Sequence, residues 1–382
     1  MFQTASKAKY SDSEERLYLA FELGWRTWKL AFTVGLGQSM WEVSVAARDL
    51  GGLKRCIGQA RERFGLPWAC GVISCYEAGR DGFWLDRLLR GWGIENLVVD
   101  SSSIEVKRQQ RRAKTDRLDV EKLLSMLMRH QLGEKKVWSV VRVPSVAEED
   151  ARHLHRELRT LKKEQTRLTN RIKGLLASQG VNGRMGRKGL IDELEAVRIW
   201  DGSLLPEGLR ARLAREMKRR DFVHRQVLDL EAQSKRAFRQ GSEAAAESIR
   251  RLTCLRGVGR TSATILVREF GWRNFRNRRQ VGSLAGLTPT PYDSGQSRRE
   301  RGISRAGNRH VRGIAIDLAW GWLRWQPGSD LSRWFQRRFA SGSSRMRRIG
   351  IVALGRKLLI ALWRYWAQAQ LPEGAMLKTT AL

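Results

Sequence analysis

The sequence predicts an α/β domain followed by a longer all-α region. Two patterns carry that reading. Residues 16–134 hold three apolar strand-like runs and then alternating helices and strands, whereas heptad spacing begins beyond about residue 140. A third observation, arginine concentrated toward the C-terminal side, speaks to partners rather than to fold.

The elements of the first domain follow in order. "RLYLAFEL" and "TWKLAFTV" read as two strands around a turn at Gly24, and "MWEVSVAA" as a third. "LKRCIGQARERF" reads as a helix and "ACGVISCYE" as a strand. "GFWLDRLLRGW" is a second helix, "ENLVVD" a last strand, and a closing helix spans Asp116 to about Arg129. This order predicts a mixed sheet covered by helices. It fits an RNase H-like domain, though pattern alone leaves other α/β folds open.

Residues 140–240 predict a helical coiled-coil arm. Ser145 and Glu148, directly after Pro144, form a capping box. Ala147, Ala151, Leu154, Leu158, Leu161, Gln165, Leu168, Ile172 and Leu175 then alternate spacings of four and three, with Gln165 the one polar interruption. "GVNGRMGRKG" reads as a loop. A second helix over about 207–239 carries a weaker seam of Leu209, Leu213, Val223, Val227 and Leu230. Such an arm folds on itself or pairs with another subunit. The expectation is a dimer contact, because an exposed apolar seam needs a cover. Residues 248–370 read as helical, basic and tryptophan-rich. Residues 1–15 are expected to be flexible and 371–382 to be a disordered tail.

The 382 residues carry a formal charge of +33. From 251 to 382 there are 25 Lys and Arg against 6 Asp and Glu, mostly arginine, which grips phosphate bidentately. A polyanion is the simplest partner for such a chain. Cys56, Cys70, Cys75 and Cys254 make no paired CxxC and no ligand spacing with the five histidines, which argues against structural zinc and a disulfide framework. Free thiols suit a reducing cytosol. The polar N-terminus lacks a signal core, and "IGIVALGRKLLIALWRYW" is interrupted by Arg356, Lys357 and Arg364, so it reads as a packing helix rather than a membrane span. Of the tryptophans at 320, 322, 325, 334, 363 and 366, core packing is expected over base stacking.

Four acids stand where strands or helices begin or end: Glu22, Glu77, Asp116 and Asp119, the last two sharing one helix face. Converging carboxylates repel unless a cation neutralises them. Mg²⁺ (or Mn²⁺) takes oxygen ligands and keeps positions open for phosphate oxygens. Each acid alone also reads as a solvated cap, and Asp116 as a helix N-terminal charge. In "LTCLRGVGRTSATILVREFG", Gly257, Gly259 and Arg260 fit a helix-hairpin-helix, whose glycines let a backbone approach phosphate. Ser294 sits in a turn after Pro289, Pro291 and Asp293, before Arg298, Arg299, Arg301, Arg305, Arg309 and Arg312. A hydroxyl needs an activating base or metal to act as a nucleophile, and His310 is the nearest base in sequence. Ser297 and Ser304 compete with Ser294 on equal local terms.

These residues together resemble one family over nearly the whole chain: the DEDD-type serine transposases of bacterial insertion sequences, the IS110/IS1111 group of bridge-RNA-guided recombinases. The most specific pieces are "YEAGRDGFWLDRLL", "AKTDRLDVEKL", "LRGVGRTSATILVREFG", "VGSLAGLTPTPYDSGQSRRERGISRAGNRHVRG" and "IVALGRKLLIALWRYW". The resemblance implies a RuvC-like N-terminal domain with its acidic tetrad on Glu22, Glu77, Asp116 and Asp119. The family usually has Asp at the first position, within a "GID" strand, where this chain has Glu22 in "AFELG". It also implies a C-terminal serine transposase domain with the nucleophile on Ser294, a transient phosphoserine link to DNA, and a serine domain that completes the carboxylate site of another subunit. Implied partners are donor and target DNA, a noncoding bridge RNA and further copies of the chain, as a dimer or tetramer, in the bacterial cytoplasm at the nucleoid. A Holliday-junction-type or structure-selective metal nuclease without serine chemistry is the alternative enzyme. A non-catalytic nucleic-acid-binding protein is the third reading.

Overall fold

A computed structural model describes residues 15–105, 116–134, 136–181, 194–240, 244–294 and 297–378. The chain forms two compact units, Met1–Pro144 and Ser145–Leu382. Of the expected flexible N-terminus, residues 1–14 lie outside the described residues.

The first unit is a five-stranded mixed sheet. Its strands are β1 (Arg16–Leu23), β2 (Thr27–Thr33), β3 (Trp41–Ala46), β4 (Gly71–Glu77) and β5 (Glu95–Val99), in the order β3-β2-β1-β4-β5. β1–β2 and β2–β3 are antiparallel hairpin pairs, whereas β1–β4 and β4–β5 are parallel. Alternation along the strands divides two cores. Leu17, Leu19, Phe21, Trp28, Leu30 and Val72 pack under α1 (Leu50–Arg63) and α2 (Trp84–Gly91). Ala20, Ala31, Ile73 and Cys75 pack under α3 (Asp116–Gln131), through Val120, Leu123, Leu124 and Leu127. Both faces are covered, which is why the strands read as near-continuous apolar runs. The arrangement is consistent with an RNase H-like sheet.

The second unit begins with α4 (Val146–Asp150), started by the expected capping box: Ser145 Oγ accepts from the Glu148 amide, and Glu148 Oε2 accepts from the Ser145 amide at 2.7 Å. α5 (His153–Ala177) and α6 (Glu207–Gln240) then form an antiparallel helical hairpin. Leu158 and Leu168 meet Val223, Val227 and Leu230 near its base, and Ile172 and Leu176 meet Leu213 and Met217 further out. Gln165 in the seam donates to His224 Nδ1 at 2.9 Å. The seam therefore finds its cover within the same chain, and the apolar argument for a dimer contact through it falls away.

A helical body follows: α7 (Ala244–Thr253), α8 (Arg260–Leu266) with a π-turn over Val267–Gly271, α9 (Arg278–Leu284), α10 (Arg309–Trp325), α11 (Asp330–Phe339) and α12 (Ser344–Gln368). Its core gathers Leu252, Leu266, Phe270, Leu318, Trp322, Leu358 and Leu362. Trp322, Trp363 and Trp366 are buried as expected, but Trp320 and Trp325 are exposed. The structure corrects two further expectations. The region is not purely helical: β6 (Pro289–Ser294) and β7 (Ser297–Ile303) form a two-stranded hairpin. Thr288 and Thr290 each precede a proline, which disfavours helix and holds them extended. Of the expected disordered tail, residues 371–378 make contacts with the body, and 379–382 lie outside the described residues. Arg256 donates to Met376, Lys378 donates to Cys254, and Gln326 clasps Met376 from both its amide and carbonyl sides. No described helix is long and apolar enough to cross a membrane.

Candidate functional site

In the first unit the parallel register sets two acids side by side. The ladder runs to Phe21↔Tyr76, and one step further Glu22 and Glu77 occupy matching positions at the ends of β1 and β4. Their strand parity is that of Ala20 and Cys75, so both lie on the face that α3 covers. Ends of adjacent parallel strands, where the sheet order reverses, are where open α/β sheets present ligand-handling groups. On its other side Glu22 is registered with Lys29, which is paired to Glu42 at 3.2 Å. Arg117, one residue into α3, reaches the same Glu42 at 3.3 Å.

Asp119 is half-buried on α3, one turn before Leu123, which packs on the sheet. Asp116 is the first residue of α3, but its side chain lies outside the described residues. Among the described residues, no three Asp, Glu, His or Cys side chains gather closely enough to enclose a metal ion. The register thus sets Glu22 and Glu77 at neighbouring strand positions on the face that α3 covers, and Asp119 lies on α3. The donor set is oxygen alone, which suits a hard cation such as Mg²⁺.

In the second unit the helix-hairpin-helix is present as α7, a tight turn and α8. Gly257 has φ +82°, and a Cβ there would come within 3.0 Å of Trp325 Cβ. Gly259 is the N-cap of α8, and a Cβ there would meet nothing within 4 Å. One glycine is needed for backbone conformation, whereas the other leaves an open face. Arg260 lies over the Phe238 ring at 5.7 Å.

Ser294 ends β6 and is registered with Ser297, which begins β7, so both stand at the hairpin tip. Ser304 is at the opposite end, its amide bonded to Thr288 O. Residues 295–296, and the side chains of 292–301 with Ser294, Arg298, Arg299 and Arg301 among them, lie outside the described residues. The hairpin root is locked: a Cβ on Gly307 would come 2.2 Å from Leu284 O, and Asn308 donates to that same oxygen at 2.6 Å.

Beside the root lies a cleft of about 1240 Å³. Of the expected arginines, Arg305, Arg309 and Arg312 line it, with Arg312 also donating to Ala285 O. Arg278, Arg279, Arg345, Arg348, Arg356 and Lys357 also line it, between apolar residues such as Leu287, Ile316 and Val352, and no described acid joins them. These six were missed in the sequence because they arrive from three separated stretches. The run "RMRR" at 345–348 was the available signal.

His310, at the start of α10, has its Nδ1 3.3 Å from Arg159 Nη1. Burial pushes its pKa down, and the nearby arginines add to that against the opposing pull of Glu269. The ring is therefore neutral at pH 7, with Nδ1 accepting from Arg159. Glu269 itself is fully buried and receives both Arg156 nitrogens at 2.6 and 2.7 Å, His155 Nε2 at 2.9 Å and Asn308 Nδ2 at 2.9 Å. Asn308 caps α10, so this carboxylate ties the base of the arm to the end of the serine-bearing segment.

Residues 249–333, which contain the elbow glycines, Ser294 and the arginines that follow it, match the family described as Transposase IS116/IS110/IS902 family. The chain is 39% identical over 377 residues to a putative transposase of Sinorhizobium fredii, y4rJ, covering 95% of each chain. It is 26% identical to the transposase for insertion sequence element IS1111A of Coxiella burnetii, covering 66% of each. To a probable family 20 transposase of Pseudomonas aeruginosa it is 28% identical, covering 58% of this chain and 65% of that one. With likeness of this extent to the first relative, across both units described above, the chain belongs to the IS110/IS1111 family of insertion-sequence transposases.

Proposed function

We propose that this transposase cuts and rejoins donor and target DNA through a serine–DNA phosphodiester, at a site that joins the acids of its RuvC-like, RNase H-fold unit to Ser294. The observation that carries the reading is the pairing of Glu22 and Glu77 at adjacent strand ends on the face covered by α3. Glu22, Glu77, Asp116 and Asp119 would hold Mg²⁺ or Mn²⁺. When bound, that ion supplies charge neutralisation at the phosphate oxygens.

The chain's own residues do the rest. Ser294 forms one phosphorus–oxygen bond as one DNA phosphorus–oxygen bond breaks, so bond energy is conserved for religation. The family resemblance supports a homo-oligomer, dimer or tetramer, in which one subunit's serine segment serves another's acids. The elbow at Gly257, Gly259 and Arg260 and the cationic cleft hold nucleic-acid backbone without reading sequence. Sequence choice then falls to a noncoding bridge RNA that pairs donor and target in the cytoplasm, at the nucleoid.

Two variants test this. Ser294→Ala is expected to abolish the covalent protein–DNA adduct and strand transfer while DNA affinity stays within about twofold. Full cleavage by that variant would point instead to a junction-type nuclease. Glu77→Gln is expected to lower strand transfer by about 10²-fold or more. Unchanged transfer in Glu77→Gln would remove the carboxylate reading.

A further inference from the structure

Three connections meet at the carboxyl end of β1 and β4. They are the β1–β2 turn, the β3–α1 connection, brought alongside by the register Thr27↔Ala46, and the segment after β4. The β1–β2 turn is tight, since a Cβ on Gly24 would come 2.3 Å from Thr27 O. It carries Trp25, which is 63% exposed. A single exposed tryptophan is unremarkable on its own. This one is clamped. The Arg48 guanidinium lies 5.1 Å from its ring centre and that of Arg80 lies 4.8 Å away.

Both guanidiniums pair with one carboxylate. Asp81 takes Arg48 Nη2 at 3.2 Å and Arg80 Nη2 at 3.3 Å, and its side chain is only 5% exposed. Arg48 has φ +68°, a left-handed conformation that a residue with a side chain rarely adopts. Such backbone persists where the surroundings hold it, and it clusters at ligand sites. The result is an indole, still largely exposed, with two guanidiniums lying over its ring and one buried carboxylate shared between them. Trp25 follows Glu22 by three residues and Arg80 follows Glu77 by three. The motif "YEAGRDGFW" thus supplies an acid of the proposed tetrad and two members of this clamp, and neither Arg80 nor Asp81 has a part in the chemistry described above.

We propose that Trp25, Arg48 and Arg80 form a binding site for one unpaired DNA nucleotide, its base stacked on the indole and its adjoining phosphate taken by the guanidiniums. A paired base cannot offer its face to a side chain, so the site selects an unstacked one. Single-stranded DNA is the chosen occupant because the clamp stands at the strand ends that carry Glu22 and Glu77. In that respect the inference rests on the proposed role of those acids.

The test uses the full chain and three fluorescent probes: a DNA duplex with a short unpaired thymidine flap, the same duplex fully paired, and the flap made of RNA. Trp25→Ala is expected to weaken flapped-DNA binding by about tenfold, in line with loss of one base–aromatic stack, and paired-duplex binding by less than twofold. Trp25→Phe should recover most of the loss, and bromodeoxyuridine in the flap should crosslink to Trp25. An unchanged thermal melting profile confirms that the solvent-facing indole is not needed for folding. Equal loss on flapped and paired DNA would overturn the site in favour of plain charge attraction. No loss would overturn it outright, and loss confined to the RNA flap would overturn the assignment to DNA. Glu77→Gln separates the two readings: if it transfers strands normally while Trp25→Ala still loses flapped DNA selectively, the carboxylate reading fails and the stacking site stands.

Discussion

Glu269 shows how much one side chain decides here. Burial pushes its carboxyl pKa up, but hydrogen bonds from Arg156, His155 and Asn308 outweigh burial and hold it far below the usual carboxylate range. A depressed folded value means stability that is present above the unfolded value of about 4.5 and lost as pH falls through the folded one. Glu269→Gln is expected to cost about 2–4 kcal/mol at pH 7, because an amide sets its own donors against those of Arg156. Urea unfolding should show that loss, together with a flatter decline in stability below pH 4.5. A variant as stable as the parent would mean that the arm docks by other contacts. In the sequence this glutamate was one letter in "LVREFG", since its partners lie 113 and 114 residues earlier and 39 later. Glu22 and Glu77 were legible because acids at the ends of apolar strand runs are conspicuous. Their mutual register is a consequence of β1–β4 pairing that no local pattern carries.

At the scale of elements, the arm was legible almost throughout because a heptad seam is local information. Its outer end departs from the reading: Leu176, rather than Leu175, is the more deeply buried beside Ile172. A straight helix drifts by about 20° per heptad against a 3.5-residue repeat, so burial passes to the neighbouring position. Leu168 is 6% exposed between the two helices. Leu168→Ala is expected to destabilise the hairpin by about 2–4 kcal/mol, read as faster amide exchange in α5 and α6 with the helical body unaffected. Global unfolding in step with the arm would show that the two form one cooperative whole. The β6–β7 hairpin resembles a turn in the sequence because its prolines are turn formers as well as strand-edge residues. Ser294 and Ser297 are opposed at its tip, and residues 295–296 between them lie outside the described residues.

At the scale of the whole molecule, charge is the dominant property. A net +33 with nine Arg and Lys side chains lining one cleft should make nucleic-acid binding strongly dependent on salt. If six or more phosphates are contacted, affinity is expected to fall by about 10³-fold between roughly 50 and 200 mM salt, measured by anisotropy. A flat profile would mean that the cleft is not the binding surface. The excess charge was plain in the sequence, but its concentration in one cleft was not, because folding alone brings residues 278–279, 305–312 and 345–357 together.

The elbow around Gly257 looks like a local motif, yet it is sealed from far downstream. Lys378 Nζ reaches Val258 O across 120 residues, and Leu255 bridges to Leu377. Contacts of such long sequence separation form slowly, because the intervening loop must first be closed. The glycine turn is therefore expected to reach its finished shape late in folding, and a stalled or shortened chain to display the two helices without a properly set bend.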